Sequence, residues 1–359
     1  MLFANVMKTI LVTGGCGFIG SNFIRLLCAE SEWHIVNLDK LTYAGNLENL
    51  AGLPKNRVRF VRGDICDQVL IGKILKEEKP WAVLNFAAES HVDRSILDAD
   101  PFLHTNVGGV LALLEAVRAN PVDRFLHIST DEVYGDKEGK SPSTEESPLL
   151  PSSPYAATKA AADLVCFSYQ RTHGLPIMIT RSSNNYGPYQ FPEKLVPLLI
   201  RNGVNGLDLP VYGDGKQIRE WLYVEDNCRA IFDVLTKGKV GSIYNIGTGE
   251  ERANLDVVHA ICEAIAERCS TDSKQIRERI RSVTDRPGHD RRYAINSSKI
   301  RTEIGWQPRT DFATGLHRTV EWYVSHADWV AHVTSGEYRN YYEAVYDRAW
   351  GKGHEPAGS

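Results

Sequence analysis

The sequence predicts an α/β protein, a doubly wound parallel sheet with a smaller mixed α/β lid domain over it, and three observations predict it. Short apolar runs alternate with amphipathic stretches through the first half of the chain, the pattern of parallel strands joined by right-handed helical crossovers. A glycine-rich turn sits between the first run and the first helical stretch. After Arg181 the alternation breaks into shorter pieces rich in Gly, Pro and amides.

The first strand is Lys8-Thr-Ile-Leu-Val-Thr13, followed by Gly14-Gly-Cys-Gly17-Phe-Ile-Gly20 and a helix ending near Glu30. In that context Gly14 permits the tight turn, Gly17 lets backbone N–H groups approach a pyrophosphate, and Gly20 allows close helix–strand packing. The second strand, His34-Ile-Val-Asn-Leu, ends in Asp39, nineteen residues after Gly20. A carboxylate there accepts from an adenosine ribose and repels a 2′-phosphate, so NAD is expected rather than NADP. Val58-Arg-Phe-Val-Arg-Gly-Asp64-Ile65 is the third strand, with Asp64 placed to meet an adenine edge. Ala82-Val-Leu-Asn-Phe-Ala-Ala88 is the fourth and leads into Glu89-Ser90-His91. A helix over 101–119 carries Thr105 and Asn106; Arg124-Phe-Leu-His-Ile-Ser is the fifth strand and Leu175-Pro-Ile-Met-Ile-Thr-Arg181 the sixth. Residues 1–182 thus form a Rossmann-type nucleotide domain.

Beyond it, a loop Ser182-Ser-Asn-Asn-Tyr-Gly-Pro-Tyr189 precedes a helix from Pro192, helices opening at Glu225 and Asn254, and a short strand Arg292-Tyr-Ala-Ile-Asn. Residues 183–310 read as an interleaved substrate-binding domain, with segments near 219–247 and 311–335 returning to the first. Residues 350–359 read as a polar tail.

Composition excludes several classes. Apolar residues make up 43% and charged residues 24%, ordinary for a globular enzyme, and the net charge is −4 without a basic block, so nucleic-acid binding is unsupported. The seven cysteines show neither Cys-x-x-Cys nor His-partnered spacing, so no metal site or disulfide framework is indicated and a reducing cytoplasm is expected. No run approaches 18 apolar residues, so no membrane span is expected. The residues before Lys8 are too short and weakly apolar for a signal peptide.

The chemistry is expected at the end of the fifth strand, where Thr130, Asp131 and Glu132 emerge together. Two adjacent carboxylates can divide acid and base work if their surroundings push their pKa values apart. A helix-capping pair or a solvated turn would carry the same residues. Tyr155 and Lys159, four apart near the start of a helix over 154–173, share one face. An ammonium beside a phenol favours the phenolate, making Tyr155 a candidate base for an alcohol.

Thr13-Gly-Gly-Cys-Gly-Phe-Ile-Gly20, Tyr155-x-x-x-Lys159 and the two-part layout resemble the extended short-chain dehydrogenase/reductases that act on nucleotide sugars. Asp39-Lys-Leu-Thr-Tyr-Ala-Gly-Asn46, Ala87-Ala-Glu-Ser-His-Val-Asp-Arg-Ser95, Ser129-Thr-Asp-Glu-Val-Tyr-Gly135, Asn184-Asn-Tyr-Gly-Pro-Tyr-Gln-Phe-Pro-Glu-Lys-Leu195 and Asp285-Arg-Pro-Gly-His289 are similar to the 4,6-dehydratases among them. The resemblance implies oxidation at C4 of a dTDP-glucose substrate, loss of water across C5–C6 and hydride return to C6. Thr130, Asp131, Glu132, Tyr155 and Lys159 would be catalytic. For the cofactor, NAD, it implies contacts from Gly14, Gly17, Phe18, Ile19, Gly20, Asp39, Lys40, Leu41 and Thr42. Further cofactor contacts would come from Asp64, Ile65, Phe86, Ala87, Ala88, Thr105 and Asn185. For the sugar nucleotide it implies Ser90, Thr130, Asn184, Lys194, Leu195, Pro210, Val211, Tyr212 and Arg219, then Asn254, Asp285, Arg286 and His289. It also implies a homodimer, and Leu111, Leu113, Leu114, Ala160, Ala161, Leu164 and Phe167 leave apolar surface on more than one face of the 101–119 and 154–173 helices. Ser183, Glu220 and Asn296 stand where the family usually shows Cys, Asp and Asp. UDP- or CDP-glucose as substrate is the alternative; an epimerase or decarboxylase would leave Asp131 without a task, and a non-catalytic NAD-binding scaffold would not need the five catalytic groups.

Overall fold

The strand Thr9–Thr13 (β1) is apolar along its length because both its faces are covered: Ile10 and Val12 enter one buried cluster and Leu11 another. That is the composition of a parallel strand with helices on both sides. A computed structural model describes residues 7–335, so the opening six residues and the tail at 350–359 lie outside the described residues. In chain order the strands are β1, His34–Asp39 (β2), Val58–Arg62 (β3), Ala82–Asn85 (β4), Arg124–Thr130 (β5), Ile177–Ser182 (β6), Asn184–Tyr186 (β7), Leu209–Tyr212 (β8), Ile218–Tyr223 (β9), Ile243–Ile246 (β10), Glu251–Ala253 (β11) and Ile280–Val283 (β12).

Seven strands form the main parallel sheet in the order β10-β6-β5-β4-β1-β2-β3. The order reverses between β1 and β4, and Thr13 pairs with both Leu38 and Asn85, so the carboxyl ends of β1, β2 and β4 open onto one crevice. Such a switch point is where open α/β sheets bind ligands. The helices Phe18–Glu30 and Val224–Lys237 pack side by side on one face, while Gln68–Glu78, Val110–Ala119 and Pro154–His173 cover the other.

The seventh strand comes from after the break in rhythm: β10 pairs with β6, fed by the helix Val224–Lys237. The smaller domain is a three-stranded sheet β11-β9-β7 and a β12-β8 pair, with a core of its own around Tyr186, Leu199, Trp221, Val257 and Ile261. The segment near 311–335, expected to return to the first domain, forms two helices, Phe312–Ser325 and Ala327–Val333, broken at His326. Instead of lying on the main sheet they bury Phe312, Leu316, Val320, Tyr323 and Trp329 in this second core, because the first helix carries its apolar residues on one face.

Three local expectations need correction. The helix expected from Pro192 begins at Leu195, since the amides of Glu193 and Lys194 are used in a turn on the Phe191 carbonyl. The helix over 101–119 contains a π-helical segment, Leu103–Gly109. Gly109 allows it to lie against Ile65, where a Cβ would come within 2.4 Å of Ile65 Cδ1. Residues 292–296 form no strand but two isolated bridges, Ile218 to Arg292 and Ser143 to Ile295.

Candidate active site

The cofactor end is built by the β1 turn. Gly14 has φ 70°, and a Cβ there would sit 2.5 Å from the Ala87 amide nitrogen. One at Gly20 would sit 2.4 Å from the Gly14 carbonyl oxygen. The helix Phe18–Glu30 has no side-chain cap, so its first N–H groups, at a positive dipole end, face the crevice. At the end of β2, Asp39 accepts from Cys16 N and Leu41 N at 2.8 Å each, and burial nonetheless raises its pKa.

Gly14, Gly17, Phe18, Ile19 and Gly20 wall a cavity of about 240 Å³ with Asp39, Lys40 and Thr42. Asp64, Ile65, Phe86, Ala87, Ala88 and Thr105 complete that wall, and Tyr155 and Lys159 close its inner end. Glycines that no side chain could replace, uncapped N–H groups and a buried carboxylate fit a dinucleotide's diphosphate and ribose. Leu41 is not on the wall; with φ 58° it carries the turn after Asp39. Lys40 Nζ lies 2.7 Å from Asp64 Oδ2, which holds Asp64 below its ordinary pKa against the opposing effect of burial. Asp64 also lies near Cys66 and His104, the one group among the described residues with three metal-ligand types together, but Cys66 Sγ is spent on the His104 carbonyl.

A second cavity, about 290 Å³, shares Phe18, Ile19, Ile128, Ser129 and Tyr155 with the first. Thr130, Asp131 and Glu132 stand at that junction, because β5 ends at Thr130 and the next residues turn into the short 3₁₀ helix Asp131–Tyr134. Asp131 is 3% exposed. Burial, then the carboxylates of Glu132 and Glu220, raise it well above the ordinary carboxylate range. Glu132 is raised by burial but opposed by Arg286, Arg219 and Lys194. Burial raises both and Arg219 opposes it at both, but at Asp131 the carboxylates of Glu132 and Glu220 outweigh that arginine while at Glu132 Arg286 and Lys194 add to it, leaving Asp131 the acid and Glu132 the more readily ionised.

The Thr130 hydroxyl accepts from Glu132 N at 3.3 Å and lies 3.3 Å from Asp131 Oδ1; it also bonds the Tyr155 phenol and lowers its pKa. A protonated Asp131 leaves the one hydroxyl proton of Thr130 for Tyr155. Tyr155 enters from the first turn of the helix Pro154–His173, whose Ser153 cap accepts from Ala156 N, and its own amide donates to Ser95 Oγ at 3.1 Å. Lys159 Nζ donates to the Ile128 carbonyl at 2.7 Å. The expected lowering of the phenol by Lys159 is not what this site shows. Burial, then Glu132, raise Tyr155, and burial pushes Lys159 down to about 8.

The far end of the second cavity is basic. Arg219 is 4% exposed, donates to the Ile218 and Asp290 carbonyls, and lies 4.1 Å over the Tyr293 ring. Arg286 Nη1 bonds Asp93 Oδ1 at 3.2 Å and its Nη2 lies 3.1 Å from His289 Nε2. As arginine can only donate, His289 accepts at Nε2 and donates from Nδ1 to Asp285, 2.6 Å away. Burial, then Arg286, push His289 down to about 4. Lys194 Nζ donates to the Ser90 carbonyl at 2.7 Å and Tyr212 to Asp93 at 2.9 Å.

Asn184, Leu195, Pro210 and Asn254 also line this cavity, as does Asn185, which the sequence placed with the cofactor. Val211 points into the second core and Asp285 stands behind His289, both off the wall. Asp131 Oδ2, Asn184 Oδ1, Asn254 Oδ1 and Trp221 Nε1 are buried without a partner among the described residues, a polar set that suits a hydroxyl-rich ligand.

Sequence reasoning missed Gln190 and Glu193, which line both cavities. Glu193 accepts from Tyr43 at 3.1 Å, lies 3.6 Å from His91, and burial pushes it up to about 7. The Phe-Pro-Glu stretch just before Lys194 carried the one available signal.

A protein-family profile described as GDP-mannose 4,6 dehydratase matches residues 11–319. A dTDP-glucose 4,6-dehydratase of Xanthomonas campestris pv. campestris (strain B100) is 52% identical over 344 residues, covering 93% of this chain and 98% of the relative. The dTDP-glucose 4,6-dehydratase 1 of Escherichia coli (strain K12) is 49% identical over 357 residues, covering 94% and 99%. Among solved structures, DesIV, a dTDP-glucose 4,6-dehydratase from Streptomyces venezuelae with NAD and TYD bound, superposes with a TM-score of 0.85 at 46% identity, over 90% of this chain and 99% of that one. A UDP-glucose 4-epimerase from Thermotoga maritima reaches 0.80 at 28% identity, over 89% and 99%.

Proposed function

We infer from the fact that this chain belongs to the GDP-mannose 4,6 dehydratase family, and from the divided carboxylate pair in its site, how its residues carry out the reaction of its relatives. The chain is an NAD-dependent dTDP-glucose 4,6-dehydratase that yields dTDP-4-keto-6-deoxyglucose. The observation that carries the mechanism is Asp131 and Glu132 side by side, held at different protonation tendencies next to Tyr155.

When bound, NAD supplies acceptance of a hydride from C4 and its return at C6. Tyr155, as its phenolate, takes the proton of the 4-hydroxyl and becomes the phenol, with Thr130 donating to that phenolate and Lys159 supplying the positive charge that favours it. The 4-ketone acidifies the C5 hydrogen. Glu132 removes that proton while Asp131 gives its proton to the departing C6 hydroxyl, so water leaves and a C5–C6 double bond forms. The proton on Glu132 exchanges with solvent, and Glu132 then gives a proton to C5, leaving 4-keto-6-deoxyglucose. Arg219, Arg286 and Lys194 neutralise the diphosphate, and Asn184, Ser90 and Glu193 face the sugar between it and the reacting carbons. The wall of Gly14, Gly17, Phe18, Ile19, Gly20 and Asp39 holds the dinucleotide.

Purified protein given dTDP-, UDP- or CDP-glucose separately, without added cofactor, is expected to form a 4-keto-6-deoxy product from dTDP-glucose at more than tenfold the rate with either other sugar nucleotide. Equal rates would overturn the base specificity. No product from any of the three, with NAD added back, would overturn the reaction.

The proposed assembly is a homodimer through the 100–119 and 154–173 helices, where Leu103, Leu111 and Leu164 are 52%, 42% and 57% exposed. Leu164→Glu is expected to shift sedimentation from dimer to monomer, and unchanged sedimentation would place the interface elsewhere. The cytoplasm is the proposed location: all seven cysteines are free thiols, as a reducing compartment keeps them. Among the described residues no helix is long and apolar enough to cross a membrane.

A further inference from the structure

The segment that follows Asp39 crosses the cofactor cavity as a strap, with Thr42, Ala44 and Gly45 on the cavity wall. Its near end is tied to the glycine turn: Asn46 N donates to the Cys16 carbonyl at 3.0 Å and Asn49 Nδ2 to the same oxygen at 2.8 Å. Asn49 is 1% exposed, so the remaining valence of its amide must find a partner inside the protein.

That partner comes from 280 residues away. Trp329 Nε1 donates to Asn49 Oδ1 at 2.8 Å, from the helix Ala327–Val333 of the smaller domain. Trp329 is itself 7% exposed, with ring centroids 5.0 Å from Trp322 and 6.1 Å from Tyr189. Arg25 lies 4.6 Å over Tyr189 and donates to the Asn49 carbonyl at 2.8 Å. At the rim, His332 Nδ1 is 3.2 Å from Glu48. The strap's middle has a second attachment, Tyr43, which donates to Glu193 and sits edge-on to Phe191 at 5.4 Å.

We propose that Trp329 is a positioning residue for the cofactor, holding the 40–50 strap shut through Asn49 so that NAD stays bound between the two hydride transfers. It touches neither cofactor nor sugar; it acts on Asn49, and Asn49 acts on the Cys16 carbonyl between Gly14 and Gly17. The need for retention rests on the proposed reaction, in which a hydride removed from C4 must remain available for C6 of the same substrate. The retention itself does not, because a shut strap slows cofactor exchange whether or not a sugar is turned over.

The test is exchange of bound NAD for radiolabelled NAD in the purified holoprotein with no sugar nucleotide present. Trp329→Phe keeps the aromatic packing and loses only the N–H donor, so exchange is expected to be about threefold to tenfold faster, the fold-change of one net hydrogen bond. Turnover at saturating NAD and the KM for dTDP-glucose stay at wild-type values. Asn49→Leu speeds exchange as well, and the double variant exchanges no faster than Asn49→Leu alone, since both lose the same link. Wild-type exchange in Trp329→Phe, or fully additive effects in the double variant, would overturn the proposal. Should Trp329→Phe unfold, Asn49→Asp, which keeps the acceptor for Trp329 but loses the donor to the Cys16 carbonyl, is expected to exchange NAD faster than wild type as Asn49→Leu does, and wild-type exchange in that variant would also overturn it.

Discussion

Glu132→Gln is expected to stop the reaction between its two halves, with turnover reduced by about 10²- to 10⁴-fold, the span of a lost general base. The amide keeps the shape of the side chain but cannot take the C5 proton, and nothing in the variant prevents oxidation at C4. Rapid quenching should therefore find the 4-keto-glucose nucleotide and reduced nicotinamide accumulating together on the enzyme. Asp131→Asn is expected to stop at the same stage, since an amide mimics the neutral acid but does not release a proton to the C6 hydroxyl. A Glu132→Gln enzyme that turns over normally, or that fails before C4 oxidation, would remove Glu132 from the role of base.

Tyr155→Phe is expected to block the first half instead. Without the phenol the 4-hydroxyl proton has no acceptor, and the oxidation rate should fall about 10²- to 10⁴-fold with no reduced nicotinamide appearing on mixing. Retained NAD, measured after denaturation, would show that the loss is chemical and not a lost cofactor site. In the wild type the same step carries a pH limb. Burial lowers Lys159 to about 8, so its positive charge is present below that pH and is lost as pH rises through it. Single-turnover C4 oxidation is expected to decline above about pH 8, and a rate that keeps rising well past it would mean that the Lys159 charge is not needed.

The parts of this site that could be read from the sequence are those set by local period and turn chemistry. Gly14, Gly17 and Gly20 stand in register between a strand and a helix, and Asp39 closes the next strand. Thr130 ends a strand, so the residues after it had to emerge at the ligand edge of the sheet. Tyr155 and Lys159 share a helix face by their spacing. What could not be read depends on packing between distant segments. Glu193 is a wall residue because Tyr43, Arg94 and His91 surround it from other segments. The two-residue period of β8 was a local signal passed over, since it puts Pro210 and Tyr212 on the cavity side and Val211 in the second core. The 292–296 segment has strand composition, but only bridges form. The raised phenol of Tyr155 likewise follows from burial beside Glu132, which the four-residue spacing to Lys159 does not reveal.

The measurement that bears most directly on the central claim is the fate of one hydrogen. dTDP-glucose carrying deuterium at C4 would be turned over in ordinary water, with excess unlabelled NAD in solution, and the product examined by mass spectrometry and NMR. Deuterium recovered at C6, with C5 carrying solvent hydrogen when the experiment is repeated in D₂O, is the result predicted by a hydride held in place between two oxidation states while Glu132 exchanges the C5 proton. Deuterium lost to the free NAD pool, or a C5 hydrogen that never exchanges, would contradict it.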